Sequence, residues 1–331
     1  MNIEFHYYML TYLLKASGFS GHASHVVAYA SQFVDSNVMN YLVDTPGPSY
    51  ETLPTQNWGF WSRETPRRIY VPFHFFPGDV DSPSAERIDG KRNPLNCTPD
   101  SPGAKELLIA ALRTRNPYRV GIALHTYADT WAHQNFSGVR EPWNSVDDSS
   151  VIPPIGHAQV LKAPDLLTTQ WIDPRLVPEN SSIVNRARFF AAAKKVYKYL
   201  CTYNRRPFDD ADLVLDALSA ALFEGGRARS MEERILDLCI GEDIGKFDRA
   251  EWIAAAISTD EIPDDNDAER GYDKLMWLKD EMLYRSKLVR KKPVPAKPDF
   301  FSSHFYRFNE AAKGHLEDAG RILEHTLHVT V

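Results

Sequence analysis

The sequence predicts an all-α protein, a multi-helix bundle interrupted by long irregular loops. Apolar residues recur at the mixed three-and-four spacing of a helix through most of the chain. Prolines and glycines gather in two blocks, residues 46–102 and 139–185, which concentrates the helix breakers there. The strongest one-sided stripe is C-terminal, where Phe301, Phe305, Phe308, Ala312, Leu316, Ala319 and Leu323 fall on one helical face.

With 331 residues, 43% of them apolar and 12% aromatic, the chain has ample material for a core, which excludes a disordered, collagen-like or coiled-coil protein. A formal net charge of −6 offers no global basic field and no long polyanion patch, so a nucleic-acid partner would need a local one. Cys97, Cys201 and Cys239 are widely spaced and odd in number, so they read as buried reduced thiols and not as a disulfide frame or zinc ribbon. Residues 1–14 lack a basic start followed by an apolar run, and no stretch approaches the roughly 18 apolar residues of a spanning helix. The expectation from these features is a cytoplasmic protein without a transmembrane segment, non-classical export being the other route.

Taken in order, residues 20–35 read as a helix started by Ser20 and carrying Val26, Val27, Ala30, Phe33 and Val34. The first excursion, 46–102, includes the aromatic runs Trp58 to Trp61 and Tyr70 to Phe76, and long loops of this kind often carry function. Helical period returns through Leu107, Leu108, Ala111 and Leu112. After Pro117 it continues as a stripe of Val120, Leu124, Tyr127 and Trp131. Beyond the second excursion, helices are expected at 184–203, 209–223, 231–239, 249–257, 269–289 and 301–327. Residues 291–298 (KKPVPAKP) suit an extended, solvated linker. It would join a helical metal-binding domain, 1–290, to a C-terminal helix, 299–331, packed on the same domain.

The sharpest local feature is HTYADTWAHQNF, residues 125–136. His125, Asp129 and His133 are four apart, advance by about 40° per step and share one helix face. They lie beside the apolar stripe, so they should be partly buried, and buried His and Asp need partners. A hydrogen-bonded core network would satisfy them, and so would a metal ion. Elsewhere His6 lies in EFHYY, His74 in PFHFFPGD, His157 in IGHAQVLKAPD, and Asp35 closes a helix in AYASQFVD. His22 and His25, i, i+3 near a helix start, read as a surface pair with a ligand pair as the alternative, and His304, His315, His325 and His328 lack a spacing convergent with the central set and read as structural.

The order His6, Asp35, His74, His125, Asp129, His133, His157 resembles the ligand order of the zinc-dependent phospholipase C fold, shared with trinuclear-zinc nucleases. The chain also resembles a bacterial family of uncharacterised proteins with the starts EFHYY and HTYADTWAHQNF. The superfamily resemblance implies an all-helical body with two or three zinc ions. Asp35, His74, His125 and Asp129 would hold one ion, with Asp129 able to bridge to a second. His133 and His157 would hold another with Asp165, and His6 would serve a third. Asp129 and Asp35 are the carboxylates expected to take part in catalysis. Three departures bear on this. The superfamily usually places five residues between the central Asp and the next His, where this chain has three. Its last carboxylate usually follows the last His by four, where Asp165 follows His157 by eight. Its third site also uses the free amine of a processed chain, whereas this sequence starts at Met1 without a processing signal.

Imidazole and carboxylate ligands suit zinc, with iron, nickel or manganese open on ligand type alone, and the lack of cysteine ligands favours a catalytic over a structural site. Paired ions clamp both oxygens of an in-line displacement and make water ionise near neutral pH. The expected function is therefore a metal-dependent hydrolase, a phosphoesterase whose substrate is a small phosphate ester, a phospholipid or a nucleic acid. The alternative is a non-catalytic helical protein with a structural metal or a buried His/Asp network, acting as a binding or toxin-associated module. Asp79, Tyr127, Gln134 and Asn135 are candidates to orient the imidazoles. Trp58, Phe60, Trp61, Tyr70, Phe73, Phe75 and Phe76 would either wall a substrate pocket or pack beneath the loop. No GxGxxG, GKS or GxSxG pattern supports a nucleotide-binding or α/β-hydrolase reading.

Overall fold

A computed structural model describes residues 1–56, 65–224, 230–239, 244–259 and 293–327. Most of this structure is helical. Two small sheets accompany the helices, so the architecture is mainly α and not all-α. The expected helix at 269–289, the aromatics Trp58, Phe60 and Trp61, and His328 lie outside the described residues.

The chain opens with π-helical turns over Glu4–Met9 that run straight into α1 (Leu10–Ala16). Ser20 caps α2 (Gly21–Ser36), its hydroxyl accepting from the Ala23 amide at 3.3 Å. Ser101 caps α3 (Pro102–Thr114), and Arg115 ends it in the left-handed region at φ 53°. Asn116 caps α4 (Pro117–Ala132) by accepting from the amides of Tyr118 and Arg119, with proline at the first helical position where no N–H is needed. Then come α5 (Pro178–Ser181), α6 (Asn185–Tyr203), α7 (Ala211–Phe223), α8 (Met231–Asp237), α9 (Glu251–Ala256) and α10 (His304–Leu327). The last begins three residues later than its apolar stripe suggests. Phe300–Ser302 form a 3-10 turn, and Ser303 is extended, its hydroxyl accepting from the Tyr306 amide at 3.1 Å as an N-cap.

Every residue of α4 after Pro117 is buried. It is the central helix, wrapped by α2, α3, α6, α10 and a π-helical segment, Pro66–His74, that lies inside the stretch expected to be irregular. The wide turn shows in the Phe75 amide, which donates to the Tyr70 carbonyl at 2.7 Å, five residues back. Tyr41, Phe33, Phe305, Phe308 and Trp252 pack edge to face or tilted around one end of this core.

Strand β1 (Leu42–Asp44) pairs antiparallel with β2 (Tyr50–Glu51), and β3 (Gln170–Ile172) pairs antiparallel with β4 (Ser182–Val184). Within the stretch read as a solvated linker, Val294–Pro295 forms β5, parallel to β1, with Val43 opposite Val294. The Ala296 amide continues the tie by donating to the Asp44 carbonyl at 3.0 Å. Cys97, Cys201 and Cys239 are buried free thiols, and among the described residues no helix is long and apolar enough to cross a membrane.

One glycine sets the distance between α2 and α4. A Cβ at Gly121 would sit 2.3 Å from the Val27 carbonyl oxygen and 2.7 Å from the Ala30 Cβ, both on α2. Gly121→Ala is expected to force the two helices apart and cost about 3 kcal/mol of stability in urea unfolding, the upper end for overpacking a core. An unchanged midpoint would show that α2 yields freely. Because α2 carries Asp35 and α4 carries His125, this separation also governs how closely those two side chains approach.

Candidate metal centre

Five elements deliver the side chains singled out above. Asp35 sits in the last turn of α2, His74 ends the π-helical segment, and His125 and Asp129 lie one turn apart on α4. His133 follows as the residue closing α4, its amide still donating to the Asp129 carbonyl at 2.9 Å. His6 comes from the N-terminal π-helical turns, and His157 and Asp165 from the 139–185 excursion.

Three groups of these residues could hold a metal ion, the ligand atoms of each group lying within 4.8 Å of one another. In the first, His74 Nδ1 and His125 Nε2 are 3.1 Å apart, and Asp35 Oδ1 is 3.7 Å from each. Asp129 Oδ2 joins them at 3.4 Å from His74 Nδ1 and 3.2 Å from His125 Nε2. Ligands about 2.0–2.1 Å from a tetrahedral ion are spaced roughly 3.3–3.4 Å from one another, so these four atoms have the span of one coordination shell. His74 Nε2 donates to the Thr55 carbonyl at 2.9 Å, which leaves its Nδ1 lone pair facing the group.

The second group is His133, His157 and Asp165. His133 Nδ1 donates to the His74 carbonyl at 2.7 Å, and His157 Nδ1 donates to the Leu161 carbonyl at 2.8 Å. Both rings are thereby fixed with Nε2 toward Asp165, at 3.1 Å from Oδ1 and 3.4 Å from Oδ2 respectively. Leu161 holds its carbonyl there from a left-handed backbone, φ 53°, a conformation costly for a leucine. Phe75 stacks on His133 at 4.4 Å and 21°.

The third grouping centres on the other oxygen of Asp129. His6 Nε2 lies 3.1 Å from Asp129 Oδ1, and the His6 and His125 rings stack at 3.9 Å. The Met1 amino group, also buried, pairs with Asp129 Oδ1 and lies 3.3 Å from Asp165 Oδ1. Asp129 thus faces His74 and His125 with one oxygen and His6 with the other, while Asp165 reaches from the Met1 amine to His133 and His157.

The cluster is dense in buried, unpartnered polar atoms. Asp129 is 1% exposed and its Oδ2 has no hydrogen-bond partner; His6 Nδ1 and His125 Nδ1 are likewise buried and unpartnered. Among the described residues no lysine or arginine pairs with Asp35, Asp129 or Asp165. Burial opposes charge on Asp129, yet His133, the Met1 amine, His125 and His6 hold it well below the usual carboxylate range. Asp165 is held low in the same way by His157, the amine and His133, against its burial. Asp35, furthest from the amine and facing Asp129, is instead raised by burial. Burial also opposes charge on the Met1 amine, but Asp129, Asp165 and Asp35 lift it to about 10. Burial, the charge of His125 and that of the amine keep His6 well below its ordinary value, and burial lowers His157. Three carboxylates and five imidazoles gathered around one amine are a donor set that could hold metal ions.

Other sequence-derived candidates fall elsewhere. Of those suggested to orient imidazoles, Tyr127 donates to Asp100 at 2.7 Å, Gln134 to Ser84 at 2.8 Å, and the Asp79 amide donates to Thr98. Asn135 contributes a backbone bond to the Cys97 carbonyl. The orienting acceptors are main-chain carbonyls of Thr55, His74 and Leu161, which no residue type in the sequence could signal. Phe73, Phe75 and Phe76 are buried, packing His315, His133 and α3, and Phe76 also lines a cavity of about 250 Å³ with Ile322 and Leu323. His25 pairs with Tyr7 and His304 with Tyr118, away from the cluster.

Residues 1–323 match the model of a family of unknown function (DUF6765), and the chain belongs to that family. No curated protein and no solved structure matches it.

Proposed function

We propose that this member of a family without an assigned activity is a metal-dependent hydrolase of phosphate esters, of the zinc-dependent phospholipase C type. What carries the reading is the sharing of Asp129: a single buried carboxylate faces two sets of imidazoles with its two oxygens, the arrangement of a multinuclear centre. Asp35, His74, His125 and Asp129 would hold one ion. Asp129, His6 and the Met1 amine would serve a second, and His133, His157 and Asp165 a third. Zinc suits these nitrogen and oxygen donors. When bound, such ions supply Lewis acidity to a phosphoryl oxygen and let water ionise near neutral pH.

The chain's own groups do the rest. Thr55, His74 and Leu161 carbonyls fix the orientation of the His74, His133 and His157 rings, whereas the Met1 amine would have to give up its proton and its pairing with Asp129 to serve an ion. Asp35, His157 and Asp165 keep 27%, 18% and 20% side-chain exposure against 0–1% for His6, His125 and Asp129, so the cluster opens to solvent on their side and a substrate can approach there. Asp35, the most exposed carboxylate of the cluster, would meet the substrate beside the ion it helps to hold.

Elemental mass spectrometry on untagged protein purified without added metal is expected to find about two or three equivalents of zinc or iron. The same protein is expected to hydrolyse bis(p-nitrophenyl) phosphate, with Asp35→Ala reducing kcat/KM by more than about a hundred-fold. Less than about 0.2 equivalents of metal after incubation with zinc, iron and manganese would overturn metal binding. Full metal content with no hydrolysis of any phosphodiester would overturn the hydrolase and leave a structural metal.

A further inference from the structure

Large apolar side chains left in water are concentrated in one stretch of the chain. Of the nine that stand exposed among the described residues, five fall between 151 and 184: Val151 at 99%, Leu161 at 63%, Ile172 at 62%, Leu166 at 39% and Val184 at 38%. Apolar side chains scattered singly over a surface need no explanation, but these ride on segments bonded into one unit. Gln159 joins the loop carrying Val151 to the turn carrying Leu161, its Oε1 accepting from the Val146 amide at 2.7 Å and its Nε2 donating to the Ile152 carbonyl at 2.9 Å. Asn185, directly after Val184, joins the other three, its Nδ2 donating to the Ala163 and Leu166 carbonyls at 2.6 and 2.8 Å and its amide to the Thr169 carbonyl at 3.2 Å. In the hairpin of β3 and β4, Val184 stands opposite Gln170, so it shares the outward face with Ile172 while Trp171 and Ile183 turn inward. Leu161 combines two unfavourable features, a left-handed backbone at φ 53° and a side chain open to solvent.

The chemistry of the set points to its partner, because all five side chains are aliphatic. Protein interfaces are anchored by Trp, Tyr and Arg, with Leu and Val under-represented, and single-stranded nucleic acids are held by stacked aromatics in a basic groove. Aliphatic tips on turns and a hairpin face gain by leaving water without needing a complementary surface, and the acyl boundary of a lipid layer offers that. The ionic groups close to the tips oppose one another, Lys162 beside Leu161 and Arg186 beyond Val184 against Asp147 and Asp148 before Val151, so attraction to anionic lipid is not the driving term. We propose that the aliphatic tips of residues 151–184 dock this protein on a lipid surface, lying on it without crossing it. The docking is independent of the hydrolase reading, and it brings to the lipid the same stretch that holds His157 and Asp165.

Flotation of the full chain with vesicles of phosphatidylcholine tests this. At about 1 mM lipid most of the protein is expected to float, and about 0.5 M NaCl is expected to change that fraction less than about two-fold, because apolar transfer is not screened by salt. Val151→Ser and Ile172→Thr remove apolar surface at two exposed positions on different segments. Each is expected to lower the partition coefficient about three- to five-fold, and the pair together more than about ten-fold, while melting temperature and metal content stay at parent values. Because the two positions lie on different segments, misfolding of one variant leaves the other decisive. No flotation up to about 5 mM lipid, flotation that the paired substitution leaves unchanged, or flotation abolished by about 0.5 M NaCl would each overturn the assignment. A dimer in sedimentation velocity that the paired substitution dissociates would overturn it too, by making the patch an interface between copies of this chain.

Discussion

Asp129→Ala is expected to strip metal from two of the three His/Asp groups and to cost roughly 3–5 kcal/mol of stability, the price of leaving buried charge and imidazoles without their partner. The carboxylate removed lies 3.2 Å from His125 Nε2 and 3.4 Å from His74 Nδ1 through one oxygen, and 3.1 Å from His6 Nε2 through the other. It also pairs with the Met1 amine, whose charge would then depend on Asp165 at 3.3 Å. The group of His133, His157 and Asp165 keeps all of its own ligand atoms and is expected to retain its ion. Elemental analysis beside urea unfolding separates the two effects. Asp129→Asn provides the control for volume: it should fold more stably than the alanine variant and still lose metal, because an amide supplies no charge. Full metal content in Asp129→Ala would end the bridging assignment. Loss from all three groups would show that Asp165 is held in place by the Met1 amine and, through it, by Asp129.

How far this centre could be read beforehand differs from residue to residue. The α4 face was legible because a four-residue spacing is a geometric statement about any helix, and the Asn116–Pro117 cap fixes where that helix begins. The two spacing departures in the second group have a backbone explanation that spacing alone could not supply. His133 is the closing residue of α4, so the chain turns away immediately after it, through Asn135 at φ 72°. The eight residues from His157 to Asp165 are folded into two 3-10 turns, Ala158–Val160 and Ala163–Asp165, hinged at the left-handed Leu161, which brings the carboxylate back to the imidazole. A positive φ at a leucine has no sequence signature. The π-helical segment was equally invisible, since Pro66–His74 contains two prolines and reads as a helix breaker, yet α4 and α10 pack it into place. Likewise β5 hides in a proline–lysine run whose composition favours solvent, and only its partner β1, 251 residues earlier, makes it a strand.

His315 gives the fold a steep acid dependence that can be isolated by one substitution. The residue is fully buried on α10, and its Nε2 donates to the Pro72 carbonyl at 3.0 Å, which pins the C-terminal helix to the π-helical segment two residues before His74. Its Nδ1 has no partner. Burial, aided by the nearby Arg119 and opposed by the Pro72 bond, lowers its pKa to about 3. In the unfolded chain the ring titrates near 6.5, so below that pH the unfolded state takes up a proton that the folded state refuses. Stability attributable to this ring is therefore complete above about pH 6.5 and declines by roughly 1.4 kcal/mol for each unit down toward pH 3. His315→Gln keeps an N–H for the Pro72 carbonyl and cannot titrate. Between pH 7.5 and 5 the parent protein is expected to lose about 2 kcal/mol more unfolding free energy than His315→Gln, with the ligand imidazoles contributing equally to both and cancelling. Parallel losses in the two proteins would mean that His315 reaches water and its charge in the folded state. The expected difference means instead that the folded protein keeps this ring neutral between α10 and Pro72, so that acid favours the unfolded chain.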